Sequence, residues 1–205
     1  MNSIKSQVNQ YYTSKIEEFG LTPKGVDWNS VDSQVLRFKV LSKILVCDKN
    51  KFSVLDFGCG YGAMLEYLNE RFEEMEYIGY DISEKMIEVA KAKYSDVKNV
   101  SWILEEPKLK NDFVVASGIF NVKFENNNDL WLEYIIETLH KINELATSGF
   151  SFNLLTKYSD AEYMKDNLYY ADPLYFFDYC KTHFSKKVAL LHDYDLYEFT
   201  ILVTK

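Results

Sequence analysis

Prolines are scarce in this chain, three in 205 residues, and cysteines equally so. Cys47, Cys59 and Cys180 are odd in number and far apart, with no CxxC pair and no Cys/His spacing that would hold zinc. They read as free thiols, and no metal site is expected. No apolar run approaches the roughly 18 residues of a membrane-spanning helix, and the opening MNSIKSQVNQ lacks the apolar core of a signal peptide. The expectation is a cytoplasmic protein with no membrane partner. Positive charge is short as well: 23 Lys and Arg face 31 Asp and Glu, a net charge of −8. Phosphate backbones demand a positive field, so no nucleic-acid partner is expected. Repeats and low-complexity tracts are also missing. What remains, 47% hydrophobic and 26% charged, is material for one α/β domain with little left over.

Glycines number only eight, yet three of them, Gly58, Gly60 and Gly62, fall within five residues of one another in VLDFGCGYGAML. An apolar strand from Phe52 to Phe57 leads into them, and a helix with Met64, Leu65 and Leu68 on one face leads out. Alternate glycines tolerate positive φ and carry no Cβ, so their backbone N–H groups can approach a bound molecule at the positive end of the next helix. A second strand, in YIGYDIS, ends at Asp81, 21 residues after Gly60. An acid at about that distance holds a ribose diol in nucleotide-binding βαβ units.

In chain order, Ile4, Val8, Tyr11, Tyr12, Ile16 and Phe19 have helical spacing, which predicts an amphipathic helix ending at Gly20. Such a helix either packs on the domain or closes over a ligand as a lid. LTPKGVDWNS reads as a loop carrying Trp28, and a helix follows from Asp32 to Cys47 with Gln34, Arg37 and Phe38 on its first turns. After the glycine turn the pattern alternates. Strands are predicted near Met75–Tyr80, Val100–Leu104, Phe113–Ser117 and Ser148–Leu155, and helices near Ser83–Tyr94 and Asn128–Leu145. This implies a parallel sheet with right-handed crossovers. The tail differs: after a helix over Pro173–His183, strands at Lys187–Leu191 and Leu196–Thr204 are joined by a short polar turn, which makes the last strand antiparallel.

GCGYGA fits both the dinucleotide fingerprint G-x-G-x-x-A and a G-x-G-x-G turn preceded by the acid Asp56. Spacing alone does not choose between them. A dehydrogenase would need a second domain for its substrate, and a charged Asp56 at the end of a buried strand suits a ligand ammonium better than dinucleotide packing. An NAD- or nucleotide-sugar-dependent oxidoreductase and a non-catalytic cofactor-binding subunit are the rival readings.

VLDFGCGYGAML followed by YIGYDIS resembles the first two motifs of class I S-adenosylmethionine-dependent methyltransferases, and the terminal hairpin is similar to the reversed last strand of their seven-stranded sheet. The resemblance covers residues 51–205 and leaves 1–50 as a helical lid region. It implies a Rossmann-like, doubly wound, mostly parallel sheet, S-adenosylmethionine as cofactor, and methyl transfer, but says almost nothing of the substrate; the departure of ASGIFN from the Asn-Pro-Pro-Tyr type of base and glutamine methyltransferases, with the tyrosine-rich segment after the fifth strand, points instead to an oxygen or nitrogen of a small polar metabolite. By the same resemblance Asp56 and the backbone at Gly58, Cys59, Gly60 and Gly62 hold the methionine end. Asp81 holds the ribose, Ile82 and Met86 flank the adenine, and Glu105 or its neighbour Glu106 meets the adenine amine. The end of the fourth strand, ASGIFN, faces the reacting centre by topology: Ser117 toward the cofactor, Phe120 and Asn121 toward the substrate. Trp28 and Arg37 are further candidate cofactor contacts from the N-terminal segment.

Sixteen tyrosines are present. Those of the segment after the fifth strand, among them Tyr158, Tyr169 and Tyr170, join Tyr11 and Tyr12 as a candidate aromatic pocket for an amine or a polyhydroxy compound. His192, at the end of a strand expected to point to the ligand edge, is the candidate general base, with Tyr12 and Tyr158 as candidate hydrogen-bond partners in catalysis.

Overall fold

The computed structural model describes residues 2–22, 25, 30–46 and 51–205. Trp28 and Cys47 lie outside them. Helix α1 spans Asn2–Phe19 and α2 Val31–Leu41. The rest alternates as β1 Phe52–Phe57, α3 Ala63–Asn69, β2 Met75–Tyr80, α4 Glu84–Lys93, β3 Val100–Ile103, β4 Asn111–Ala116, α5 Asn128–Leu145, β5 Ala146–Leu155, α6 Pro173–His183, β6 Lys187–Leu191 and β7 Glu198–Thr204. Among the described residues no helix is long and apolar enough to cross a membrane, and no group of three His, Cys, Asp or Glu is placed to hold a metal ion.

The seven strands form one sheet in the order β3-β2-β1-β4-β5-β7-β6. All neighbours are parallel except β7, which is antiparallel to both β5 and β6. The order reverses between β1 and β4, so the crevice beyond their carboxyl ends is the natural ligand position. β1 shows why the sheet needs cover on both faces. Val54 and Leu55 are both fully buried, yet they point into different cores. Leu55 belongs to the core that includes Ile4, Trp131 and Ile135 of α1 and α5; Val54 to the one that includes Phe38, Leu41 and Leu65 of α2 and α3.

Local signals account for the element ends. Ser83, Asn127 and Asp172 each cap a helix by accepting a backbone N–H, and Pro173 occupies the first turn of α6. α2 is shorter than its apolar pattern predicts. It stops at Leu41 and tightens into a 3-10 turn over Ser42–Ile44, where the Ser42 hydroxyl bonds the Lys39 carbonyl. The N-terminal segment divides by place. α2 lies on the sheet face over β5 and β7, whereas α1 crosses the ligand edge, its Ile16 in a cluster with Tyr61 and Met86 and its Thr13 bonded to Ser83.

Candidate active site

Beyond β1 the chain turns through residues 58–62. Gly58, Gly60 and Gly62 all have positive φ, 83°, 54° and 83°, which glycine adopts without the penalty of a side chain. The N–H groups of Gly58 and Cys59 both donate to the Tyr80 carbonyl, at 2.8 and 2.9 Å; that of Gly60 donates to Asp81 Oδ2 at 2.9 Å, and that of Gly62 to the Cys59 carbonyl. The expectation that these donors meet a bound molecule is therefore corrected: those of Gly58, Cys59 and Gly60 close the turn onto Tyr80 and Asp81 at the end of β2, and that of Gly62 bonds within the turn. Glycine serves the cleft by what it lacks, since a Cβ on Gly58 would stand 2.4 Å from Ile119 Cγ2.

Gly62 does not line the cleft. A Cβ there would meet Trp102 Cη2 at 2.3 Å and Tyr94 Cε2 at 2.8 Å, two stacked rings that cannot yield together. Gly62→Ala is expected to cost about 2–4 kcal/mol, from overpacking plus the left-handed φ. Urea unfolding measures it, and a loss under about 0.5 kcal/mol would contradict the packing role.

The cleft gathers Asp56, Gly58, Cys59, Gly60, Asp81, Ile82, Met86 and Ser117, with Tyr12 reaching in from α1. Ile119 of ASGIFN lines it as expected, and it also takes in side chains that motif reading missed: Gln34, Tyr61, Tyr80 and Tyr134. Gln34 had a signal, an amide on the same face of α2 as Phe38 and Leu41. Tyr134 had none, because α5 reaches the cleft only through the crossover.

Asp56 is almost completely buried, and its one hydrogen-bond partner among those resolved is the Tyr77 hydroxyl, which donates to Oδ2 at 2.5 Å. Burial pushes its carboxyl up to about 7; the Tyr77 bond opposes this and the charge of Asp81 adds to it. Asp81 is also raised by burial, against the backbone N–H groups of Ser83 and Gly60 that bond it. Burial and the two acids push the Cys59 thiol well up, so it stays neutral and unreactive. Ser117 Oγ is buried with no hydrogen-bond partner among the described residues. Among the described residues no Lys, Arg or His lines the cleft.

Several expected site residues are elsewhere. His192 and Tyr158 are exposed, with ring centres 6.0 Å apart, and do not line the cleft. The strand order explains this, since β6 is the far edge, three strands from β4. Glu105 is exposed past β3, near the other edge, and Glu106 pairs with Lys5 and Lys141. Phe120 is core, its carbonyl taking the Trp131 indole N–H at 2.8 Å. Asn121 accepts the N–H of Leu155 on its side chain and that of Tyr169 on its carbonyl. Tyr169 is buried, and the Tyr170 hydroxyl accepts from Lys165 N–H, so the tyrosine-rich segment serves to fasten itself over residues 121–123. Tyr11 stands edge-on to Tyr12 and Phe124, outside the lining. Arg37 is buried against Glu198.

Residues 54–143 match the family model described as a methyltransferase domain. A Mycobacterium tuberculosis protein named as a methyltransferase is 49% identical over 155 residues, 75% of this chain and 93% of that protein. Two solved structures share the fold. Magnesium protoporphyrin IX methyltransferase from Synechocystis PCC 6803, with S-adenosylhomocysteine bound, has a TM-score of 0.71 at 16% identity over 98% of this chain and 99% of that one. The plantazolicin methyltransferase BpumL has a TM-score of 0.61 at 14% identity over the full length of both. With the glycine turn, the two acids and the reversed β7 in place, the chain belongs to the class I S-adenosylmethionine-dependent methyltransferases.

Proposed function

We propose that the chain methylates an oxygen or nitrogen of a small, uncharged polar metabolite, with α1 as the lid of the site. The observation that carries this reading is the charge of the cleft: two buried acids and, among the described residues, no cation. A cationic cofactor is matched to it, and an anionic acceptor would enter against Asp56 and Asp81 with nothing to offset its charge.

The cofactor fits the residues present. Asp56 suits the ammonium of the methionine end, which would hold that carboxyl ionised. Asp81 has each oxygen aimed by one backbone N–H, from Gly60 and from Ser83, and keeps lone pairs for the ribose hydroxyls. Ile82 and Met86 offer apolar surface to the adenine, and the unpartnered Ser117 hydroxyl marks where a polar ligand atom completes the wall.

Held by Asp56, Asp81, Ile82 and Met86, S-adenosylmethionine would supply an activated methyl group with a neutral thioether as leaving group. The protein aligns that methyl with the acceptor and excludes water. Tyr134, pushed up to about 12 chiefly by burial, stays protonated and serves as a hydrogen-bond donor rather than a base. With no imidazole or amine among the described lining residues, the acceptor's proton leaves through solvent. A panel of acceptors in matched neutral, phosphorylated and carboxylated forms, followed by transfer of labelled methyl, tests the reading. Neutral forms are expected to turn over at least about tenfold better, and preference for a phosphorylated form would overturn it.

A further inference from the structure

The buried carboxylate of Glu198 takes no part in the chemistry above, yet it joins three elements and, through one of them, the turn after β4. Glu198 opens β7 and is 1% exposed. Arg37 of α2 donates to it from Nε, at 2.9 Å to each oxygen, and from Nη2 to Oε1. Asn153 of β5, also 1% exposed, donates from Nδ2 to Oε2 at 2.5 Å and accepts the Gly118 N–H on Oδ1 at 2.8 Å. Only the amide NH2 can face a carboxylate, so Glu198 dictates that Asn153 turns its oxygen to Gly118.

Both ends of this chain of bonds reach the cleft. Arg37 lies between Gln34 and Phe38, which line it from α2, and Gly118 lies between Ser117 and Ile119, which line it from the end of β4. Gly118 has φ of 69°, so the turn it forms depends on an outside anchor. A buried ion pair is a poor way to stabilise a fold compared with apolar packing. We infer that Glu198 and Asn153 are positioning residues for methyl transfer, holding the Ser117–Ile119 turn against the α2 wall of the cleft. This rests on the cofactor occupying that cleft.

The test is S-adenosylmethionine affinity by calorimetry on the full chain, wild type beside N153D and N153L, from pH 6 to pH 8.5. N153D keeps an acceptor for Gly118 but sets a second carboxyl against Glu198. Among the described residues Arg37 and the Tyr194 phenol are the other charged or titratable groups facing Glu198, with Asp193 beyond Tyr194, and burial holds the phenol above its ordinary range. At pH 8.5 the two carboxylates repel, and affinity is expected to fall at least tenfold below wild type. At pH 6 a shared proton restores the bond, and the deficit is expected to shrink to within threefold. Taking the ratio to wild type cancels the titration of Asp56. A merely structural loss would lower the melting temperature without this pH-dependent recovery. N153L, close in shape and uncharged, is expected to lose about tenfold at every pH. Wild-type affinity in N153L, or a deficit in N153D that does not change with pH, would overturn the inference. A wild-type protein that does not bind S-adenosylmethionine would overturn the reading of the cleft, and this inference with it.

Discussion

Asp56→Asn is expected to raise the melting temperature of the ligand-free protein at pH 8 while it removes most of the affinity for S-adenosylmethionine. The two effects have one origin. Asp56 sits in the folded chain with its carboxyl at about 7 against an ordinary 3.8, so folding favours its protonated form. Its contribution to stability is full below pH 3.8 and is lost as pH climbs through 7, a change on the order of 4 kcal/mol. At pH 8 the wild type carries that cost in full. The asparagine does not, and its Oδ1 can still accept from Tyr77. A rise on the order of 10 °C at pH 8, narrowing at pH 5, is the expected result in a thermal melt. Affinity for S-adenosylmethionine in the wild type is expected to fall about tenfold from pH 8 to pH 6, because the ammonium must displace a proton. In the variant it is expected to be weak and flat across that range. A variant less stable than wild type at pH 8, with unchanged affinity, would refute the account.

Asp81→Ala is expected to weaken S-adenosylmethionine and S-adenosylhomocysteine alike, by more than about a hundredfold. Two charge-assisted hydrogen bonds to the ribose contribute roughly 1.5–3 kcal/mol each, and together they exceed two decades in Kd. The loss has a second component, because Asp81 Oδ2 also holds the Gly60 N–H and Oδ1 the Ser83 N–H. Without them the glycine turn and the start of α4 lose a shared anchor. Asp81→Asn keeps one acceptor and is expected to fall between the two. Titration calorimetry with both ligands decides the matter, and a change under threefold in the alanine variant would remove Asp81 from the ribose site.

The part of this protein that was legible in sequence is the part written by local rules. Strand β1, helix α5 and helix α6 have their limits where apolar period, cap residue and Pro173 place them, and the reversed β7 follows from the brevity of the turn before it. Asp56 and Asp81 were legible because a glycine turn fixes its neighbours within one βαβ unit. Residues that depend on strand order were not. His192 reads as a ligand-edge histidine from β6 alone, and only the full order, with β6 at the rim, carries it away. The tyrosines after β5 look like a pocket in composition, but Tyr169 is drawn inward by backbone pairing with Asn121, a partnership no periodicity announces. Gln34 and Tyr134 meet in the cleft although 100 positions separate them, and such meetings belong to tertiary packing.

The closure of the glycine turn on the Tyr80 carbonyl bears on how such a site can change over generations. The grip on β2 is made by main-chain atoms of Gly58 and Cys59 meeting a main-chain oxygen. Substitution at 59 or 80 alters side chains without removing any of those partners. The turn can therefore persist while the side chains around it drift, and the walls of the cleft, Ile119 among them, can change without rebuilding it.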